Sequence, residues 1–204
     1  MTTFRVSEVE SFRQWRDDEE ADLELLLNRM RGLGGESEAM RAGTAFHAAL
    51  EMAPTGIEVE TLEANGHVFT FAGDFEIGLP KIREVRASKV YMVDGEPISI
   101  SGQLDAIEGK RVEDHKTTGR FDPDRYLTGY QWRLYLDIFG ADTFRWNVFE
   151  IKQDSEDPMH WEVTATHRLE QCRYPAMTAD CQALVADLAR FAREHLPERF
   201  LKAA

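Results

Sequence analysis

Hydrophobic and polar positions change period along this chain, and the changes mark its elements. From residue 7 to 31 the apolar residues recur at helical intervals, which predicts a first helix. Ser7 or Ser11 is placed to cap its start, and Gly32, Gly34 and Gly35 to end it. Residues 36–52 predict a second helix, stopped by Pro54. The period then shortens. IEVETLEA, HVFTFAG, KIREVRASKVYMVDG, EPISISGQLDAIEG and KRVEDHKTTG read as strands, punctuated by NG, AGD, DG and EG turns. The helical period returns over residues 123–139, with Pro123 near the start and Gly140 after the end. TFRWNVFEIK is a further strand, residues 160–167 another candidate, and residues 170–195 a closing helix. This order predicts one α/β domain spanning 1–204.

The alternation also sorts the polar groups. In ISISGQLDAI, Ile98, Ile100, Leu104 and Ala106 share one face, and Ser99, Ser101, Gln103 and Asp105 the other. In VEDHK, Val112, Asp114 and Lys116 share a face, while Glu113 and His115 point away. A hairpin between these two strands brings Asp105 toward Asp114. Two close carboxylates repel, and a divalent cation with oxygen ligands resolves the conflict. Lys116 on the same face is a candidate neighbour of an attacking water; the alternative is a surface ion pair. On the second helix, Gly43, His47 and Glu51 form an i, i+4, i+8 stripe in which Gly43 permits close approach and His47 offers a ring nitrogen. On the later helix, Gln131 and Tyr135 share a face.

Composition narrows the class. The 204 residues are 43% hydrophobic and 30% charged, as in a globular chain long enough to bury a core. No apolar run approaches the ~20 residues of a membrane span, and the polar, acidic start has no signal-peptide pattern, so a cytoplasmic location is expected. Cys172 and Cys181 fit neither a redox motif nor a zinc site and read as ordinary buried or half-buried thiols. A net charge of −13 argues against a general nucleic-acid coat but not against a nuclease, whose metal site needs carboxylates. Arg111, Arg120, Arg125 and Arg133 crowd the motif region, either to hold phosphates or to pair with Glu113, Asp122, Asp124 and Asp137. Tyr126, Tyr130 and Trp132 are candidates for stacking on bases or for core positions.

The succession GTAFH, GQLD, EDHKT and QWRLY, over roughly residues 40–140, resembles the RecB-like branch of the PD-(D/E)XK nuclease superfamily. No one motif is specific; their order and spacing carry the likeness. Leu104 stands where the superfamily's name has Pro, as is usual for the GxxD form in this branch. The resemblance implies a restriction-endonuclease-like core, a central mixed β-sheet flanked by α-helices. It implies that His47, Asp105, Asp114 and the backbone carbonyl of His115 bind Mg²⁺ or Mn²⁺, and that Lys116 acts on the water and the phosphate. It also implies that Gln131 and Tyr135 support the site or touch DNA; Arg120 and Arg133 are candidates beside them from their place near the motifs alone. Glu84 corresponds to an acidic position that some relatives carry. The activity implied is a DNA nuclease, of the phage or mobile-element exonuclease type, leaving 5′-phosphates in recombination or repair. Two cysteines exclude the four-cysteine iron–sulfur cluster of some relatives, and no GxxxxGK[ST] motif is present, so a helicase, or a single-strand annealing or recombination protein, would be a separate partner. A catalytically silent DNA-binding or structural subunit of the same fold stays open, as does a metal-dependent enzyme with another substrate or a plain interaction protein.

Overall fold

The computed structural model describes residues 1–54, 60–73 and 78–201. Its centre is an eight-stranded mixed sheet built from β1 (Thr2–Arg5), β2 (Thr61–Ala64), β3 (His67–Phe71), β4 (Ile82–Val93), β5 (Glu96–Glu108), β6 (Arg111–Thr118), β7 (Thr143–Gln153) and β8 (His160–Cys172). The strand order is β1-β5-β6-β7-β8-β3-β2, with β4 on the other edge of β5. The pairs β1–β5, β6–β7 and β3–β8 are parallel and the rest antiparallel. Around it lie α1 (Val6–Arg16), α2 (Leu23–Met30), α3 (Glu38–Met52), α4 (Pro123–Leu127), α5 (Gln131–Phe139) and α6 (Met177–His195). The α/β class expected from the sequence is therefore observed. The start of the strand expected over IEVETLEA, residues 57–59, lies outside the described residues. No helix among the described residues is long and apolar enough to cross a membrane.

The turns expected from NG and DG form two-residue hairpins. Asn65–Gly66 and Asp94–Gly95 all have positive φ, so the registers close at Ala64↔His67 and Val93↔Glu96. That backbone matches the twist of paired strands and suits Asn, Asp and Gly.

Helix boundaries differ from the sequence expectation in three places. The segment 7–31 is two helices. Asp17 to Glu20 put negative charge at the C-terminal end of α1, where the helix dipole opposes it, and the Asp22 carboxylate caps α2 by accepting from the Glu24 and Leu25 N–H groups. The first cap is neither Ser7 nor Ser11: Glu8 accepts the Arg5 N–H at 2.6 Å. The segment 123–139 breaks at Thr128–Tyr130. There the Glu10 carboxylate of α1 accepts the N–H groups of Tyr130 and Gln131 at 2.7 and 3.1 Å and starts α5 afresh. Residues 170–172 extend β8 instead of opening α6, because β7 pairs with them back to Thr143↔Cys172. Cys172 there is exposed and Cys181 buried.

Apolar packing falls on both faces. Val112, Phe144, Trp146 and Val148 join α1, α2, α5 and α6 in one buried cluster. Phe149, Ile151, Trp161 and Val163 join α3 in the other. Asp137 of α5 is the polar hub of the first layer. Its carboxylate accepts from Tyr91 Oη at 2.7 Å and Thr178 Oγ1 at 2.7 Å, and lies 2.9 Å from Lys89 Nζ.

Candidate active site

The site forms where two strands part. β4 occupies one edge of β5 from Glu96 to Ile107, so β1 and β6 share the other. β6 pairs with β5 only at residues 106–108, and β1 only at 98–101. Between them, Gly102–Asp105 faces a fork with no strand partner. Backbone groups exposed there need other partners. Tyr135 of α5 donates its hydroxyl to the Gln103 carbonyl at 2.8 Å, and Asp105 accepts the His115 N–H at 2.5 Å. Tyr135 comes this close because residue 102 is glycine: a Cβ there would lie 2.8 Å from its ring and 3.2 Å from Val6. Gly102→Ala is therefore expected to cost about 1–3 kcal/mol, the penalty of overpacking a filled site. A thermal melt unchanged from wild type would show that Tyr135 yields without loss.

Asp105 and Asp114 meet at this fork. Extending the register one step beyond Ala106↔Glu113 puts them opposite each other. Extending the β4–β5 register between Arg83↔Ala106 and Val85↔Leu104 puts Glu84 opposite Asp105. Three carboxylates thus cross three strands in one row. Glu84 holds a left-handed backbone, φ +53°, which a non-glycine residue adopts only under constraint.

Each charge has a local answer. His47 Nδ1 is 3.3 Å from Asp105 Oδ1. Lys116 Nζ hydrogen-bonds Asp114 Oδ1 at 3.0 Å and stands 2.7 Å from Oδ2, which is buried and has no directed hydrogen bond among the described residues. Burial alone would raise Asp105, but the His47 hydrogen bond and the nearby His47 and Lys116 charges hold it at about 2. Asp114 goes the other way: burial, aided by Asp105, lifts it above the ordinary carboxylate value despite Lys116. Burial pulls on Lys116 to lose its proton, yet Asp114 and Asp105 outweigh it and the pKa rises, so the ammonium persists. His47 is raised too, burial being outweighed by Asp105. Burial holds His115 neutral, at about 4, and among the described residues its Nδ1 has no hydrogen-bond partner. Burial also raises Glu84, with Asp105 and Glu51 adding to it.

Neighbouring helices are locked to this point by caps from distant residues. Arg83 of β4 donates to the Leu50, Glu51 and Ala53 carbonyls at the end of α3. That fixes the helix carrying His47. Gly43 lies against β6, where an added Cβ would sit 3.0 Å from Thr117 Oγ1. Gly43, His47 and Glu51 line one side of a cleft of about 580 Å³ whose other side is Glu84, Gln103 and Asp105.

The structure brings His47, Glu84, Asp105, Asp114 and Lys116 together, with Tyr135 beneath. Gln131 stands beside Tyr135, close enough to act on its hydroxyl. Two arginines stand apart. Arg120 is exposed in the turn after β6. Arg133 stacks on Tyr130 and Trp132 at 4.4 and 4.5 Å and donates to the Gly129 carbonyl at 2.5 Å. Arg111 pairs with Glu113 and Glu108. Asp137 serves Lys89, not Arg133. Trp132 and Tyr126 are core. Gln103 was legible as a neighbour of Asp105 on its face, but not as a link: its amide accepts from Arg86 Nε at 2.5 Å and donates to Glu84. Glu10 and Arg83 had no local signal at all.

Among the described residues, no group of three or more His, Cys, Asp or Glu side chains is gathered tightly enough to hold a metal as it stands. The donor set nevertheless suits a hard divalent cation. It offers an imidazole, His47, and two carboxylates, Asp105 and Asp114, the second with a buried oxygen that has no directed hydrogen bond among the described residues.

No protein-family model and no curated protein sequence matches the chain. Among solved structures, the protein SSO0001 overlays with a TM-score of 0.56 at 18% identity, over 94% of this chain and 77% of that one. That likeness concerns the fold. An alkaline exonuclease, LHK-Exo from Laribacter hongkongensis, aligns with a TM-score of 0.43 at 18% identity, over 95% of this chain and 89% of its own. Its dAMP complex aligns at 0.41 and 16%, over 94% and 89%. At these scores neither overlay says more about this chain than its own side chains do.

Proposed function

We propose that the chain is a single-domain, metal-dependent deoxyribonuclease that hydrolyses phosphodiester bonds at the fork between β5 and β6. The observation that supports this best is the convergence of Asp105, Asp114 and Lys116 there. They come from two strands that part where the chemistry needs space. His47, Asp105, Asp114 and the His115 carbonyl are the groups that would hold Mg²⁺ or Mn²⁺. When bound, the ion would supply Lewis-acid charge and a water of lowered pKa. Asp105, kept ionised down to about pH 2, is an anionic ligand throughout the neutral range. Lys116, kept protonated, serves as a fixed positive charge for the phosphate rather than as a base. Tyr135 and Gln131 hold the fork open, and Glu84 adds negative charge beside Asp105.

In the finer reading the enzyme is an exonuclease acting in recombination or repair beside a separate helicase or annealing protein. Digestion of end-labelled linear and closed circular DNA tests both levels. Expected are loss of the linear substrate only with Mg²⁺ or Mn²⁺, and survival of the circle. Cutting of the circle would replace exonuclease by endonuclease. DNA binding with no cleavage in either metal would identify a silent subunit and overturn the enzyme.

A further inference from the structure

Beside the acidic cleft lies a second, larger groove of about 710 Å³ over the β4–β5–β1 part of the sheet. Its polar lining is Arg5, Ser7, Arg86, Ser88, Ser101 and Gln103, and it contains no carboxylate. The acidic cleft, by contrast, is lined by Glu36, Glu51, Glu84 and Asp105. Gln103 lines both, so the two adjoin. In a chain of net charge −13, a groove lined by two arginines and no acid, next to the carboxylate row, is a separation of charge that needs a reason.

The strand registers give the groove a ladder. Arg86 is paired with Gln103, Ser88 with Ser101, and Ser101 on its other side with Arg5. Gln103 is one row, about 7 Å, from Asp105, and Ser101 two rows. Arg86, Ser88 and Gln103 are exposed. Arg86 spends only its Nε on Gln103, and Arg5 only its Nε on Glu8, at 3.4 Å. Among the described residues the terminal guanidinium nitrogens of both have no hydrogen-bond partner, so they remain as donors.

We propose that this groove binds the sugar–phosphate backbone of a single DNA strand and leads it to the carboxylate row. The inference rests on the nuclease reading and adds the substrate path to it. Arginine forks and serine hydroxyls are the donors that phosphate oxygens take. The polar lining is the face that the strand ladder turns outward, and the aromatic ring in the groove, Tyr135, is only 6% exposed with its hydroxyl committed to Gln103. Recognition is therefore of backbone rather than bases, and independent of sequence. The Arg86–Gln103–Glu84 chain ties the last phosphate-binding arginine to the acidic row.

The test is the salt dependence of binding, by anisotropy of a labelled single-stranded oligonucleotide with Ca²⁺ in place of Mg²⁺. Wild type is compared with the doubly substituted Arg5→Ala, Arg86→Ala protein and with Arg5→Lys, Arg86→Lys. Loss of two phosphate contacts should flatten the slope of log K against log salt by about 1.4, at ~0.7 per single-strand contact. Affinity should fall on the order of tenfold, with the lysine pair restoring most of the slope. Both side chains are at the surface, so melting temperatures should agree. An unchanged slope in a protein that still cuts DNA would overturn the groove and leave the nuclease standing. A slope change confined to duplex DNA would overturn the single-strand assignment. A wild type that neither binds nor cuts DNA would remove both readings.

Discussion

Lys116→Met should slow DNA cleavage by a factor on the order of 10²–10³, the loss typical of one preorganised electrostatic group. Metal affinity should stay near that of wild type, because a protonated amine has no lone pair to give a cation. Lys116 is held protonated by Asp114 and Asp105 and is still 31% exposed at its side chain, so its charge is not sealed from solvent. Methionine keeps the apolar stem and removes that charge. The measurements are single-turnover cleavage and metal titration by calorimetry on the same variant. Cleavage at the wild-type rate would reduce the Asp114–Lys116 contact to a structural ion pair. Loss of metal binding would mean that Lys116 holds Asp114 in place rather than acting on the phosphate.

Asp137→Ala should destabilise the protein by about 3–5 kcal/mol, the cost of stripping one partner from a buried charged network. Its side chain is 2% exposed, and removing it leaves Tyr91, Thr178 and Lys89 facing an empty site. In a chain of this size each kcal/mol moves the melting temperature by about 2–4 °C, so a fall of roughly 10 °C is expected. The pH dependence has a definite sign. Burial opposes the Asp137 charge, but hydrogen bonds from Lys89, Thr178 and Tyr91 win, and the folded pKa lies below the ordinary 3.8. Its stabilisation is complete above that ordinary value and is lost as pH falls through the lowered one. The gap between wild type and Asp137→Asn should therefore be constant at neutral pH and narrow in acid. A melting temperature within a degree or two of wild type for Asp137→Ala would dismiss the hub.

Much of the site was written in local pattern. Period-two alternation put Asp114 and Lys116 on one face, and the EG turn set the register that opposes Asp105 to Asp114. The helical stripe of Gly43, His47 and Glu51 was likewise readable and lines the cleft. The NG and DG turns gave two hairpins through residues suited to positive φ. These features need only a residue and its near neighbours, since strand pleat, helix period and turn geometry are short-range properties of the backbone.

The remainder was decided at a distance. The Glu10 carboxylate begins a helix 120 residues away, Arg83 closes α3 from a strand, and β1 takes the edge of β5 that β6 leaves. That last choice creates the fork, and with it the space in which Tyr135, Asp105 and Asp114 meet. It also leaves the Arg5–Arg86 face uncovered, although neither arginine stood out in the sequence. Alternation says which face a side chain takes, but not which distant group will need it. Backbone donors and acceptors stranded by the packing of remote segments draw their partners from whatever the fold brings near, and only the tertiary structure names them.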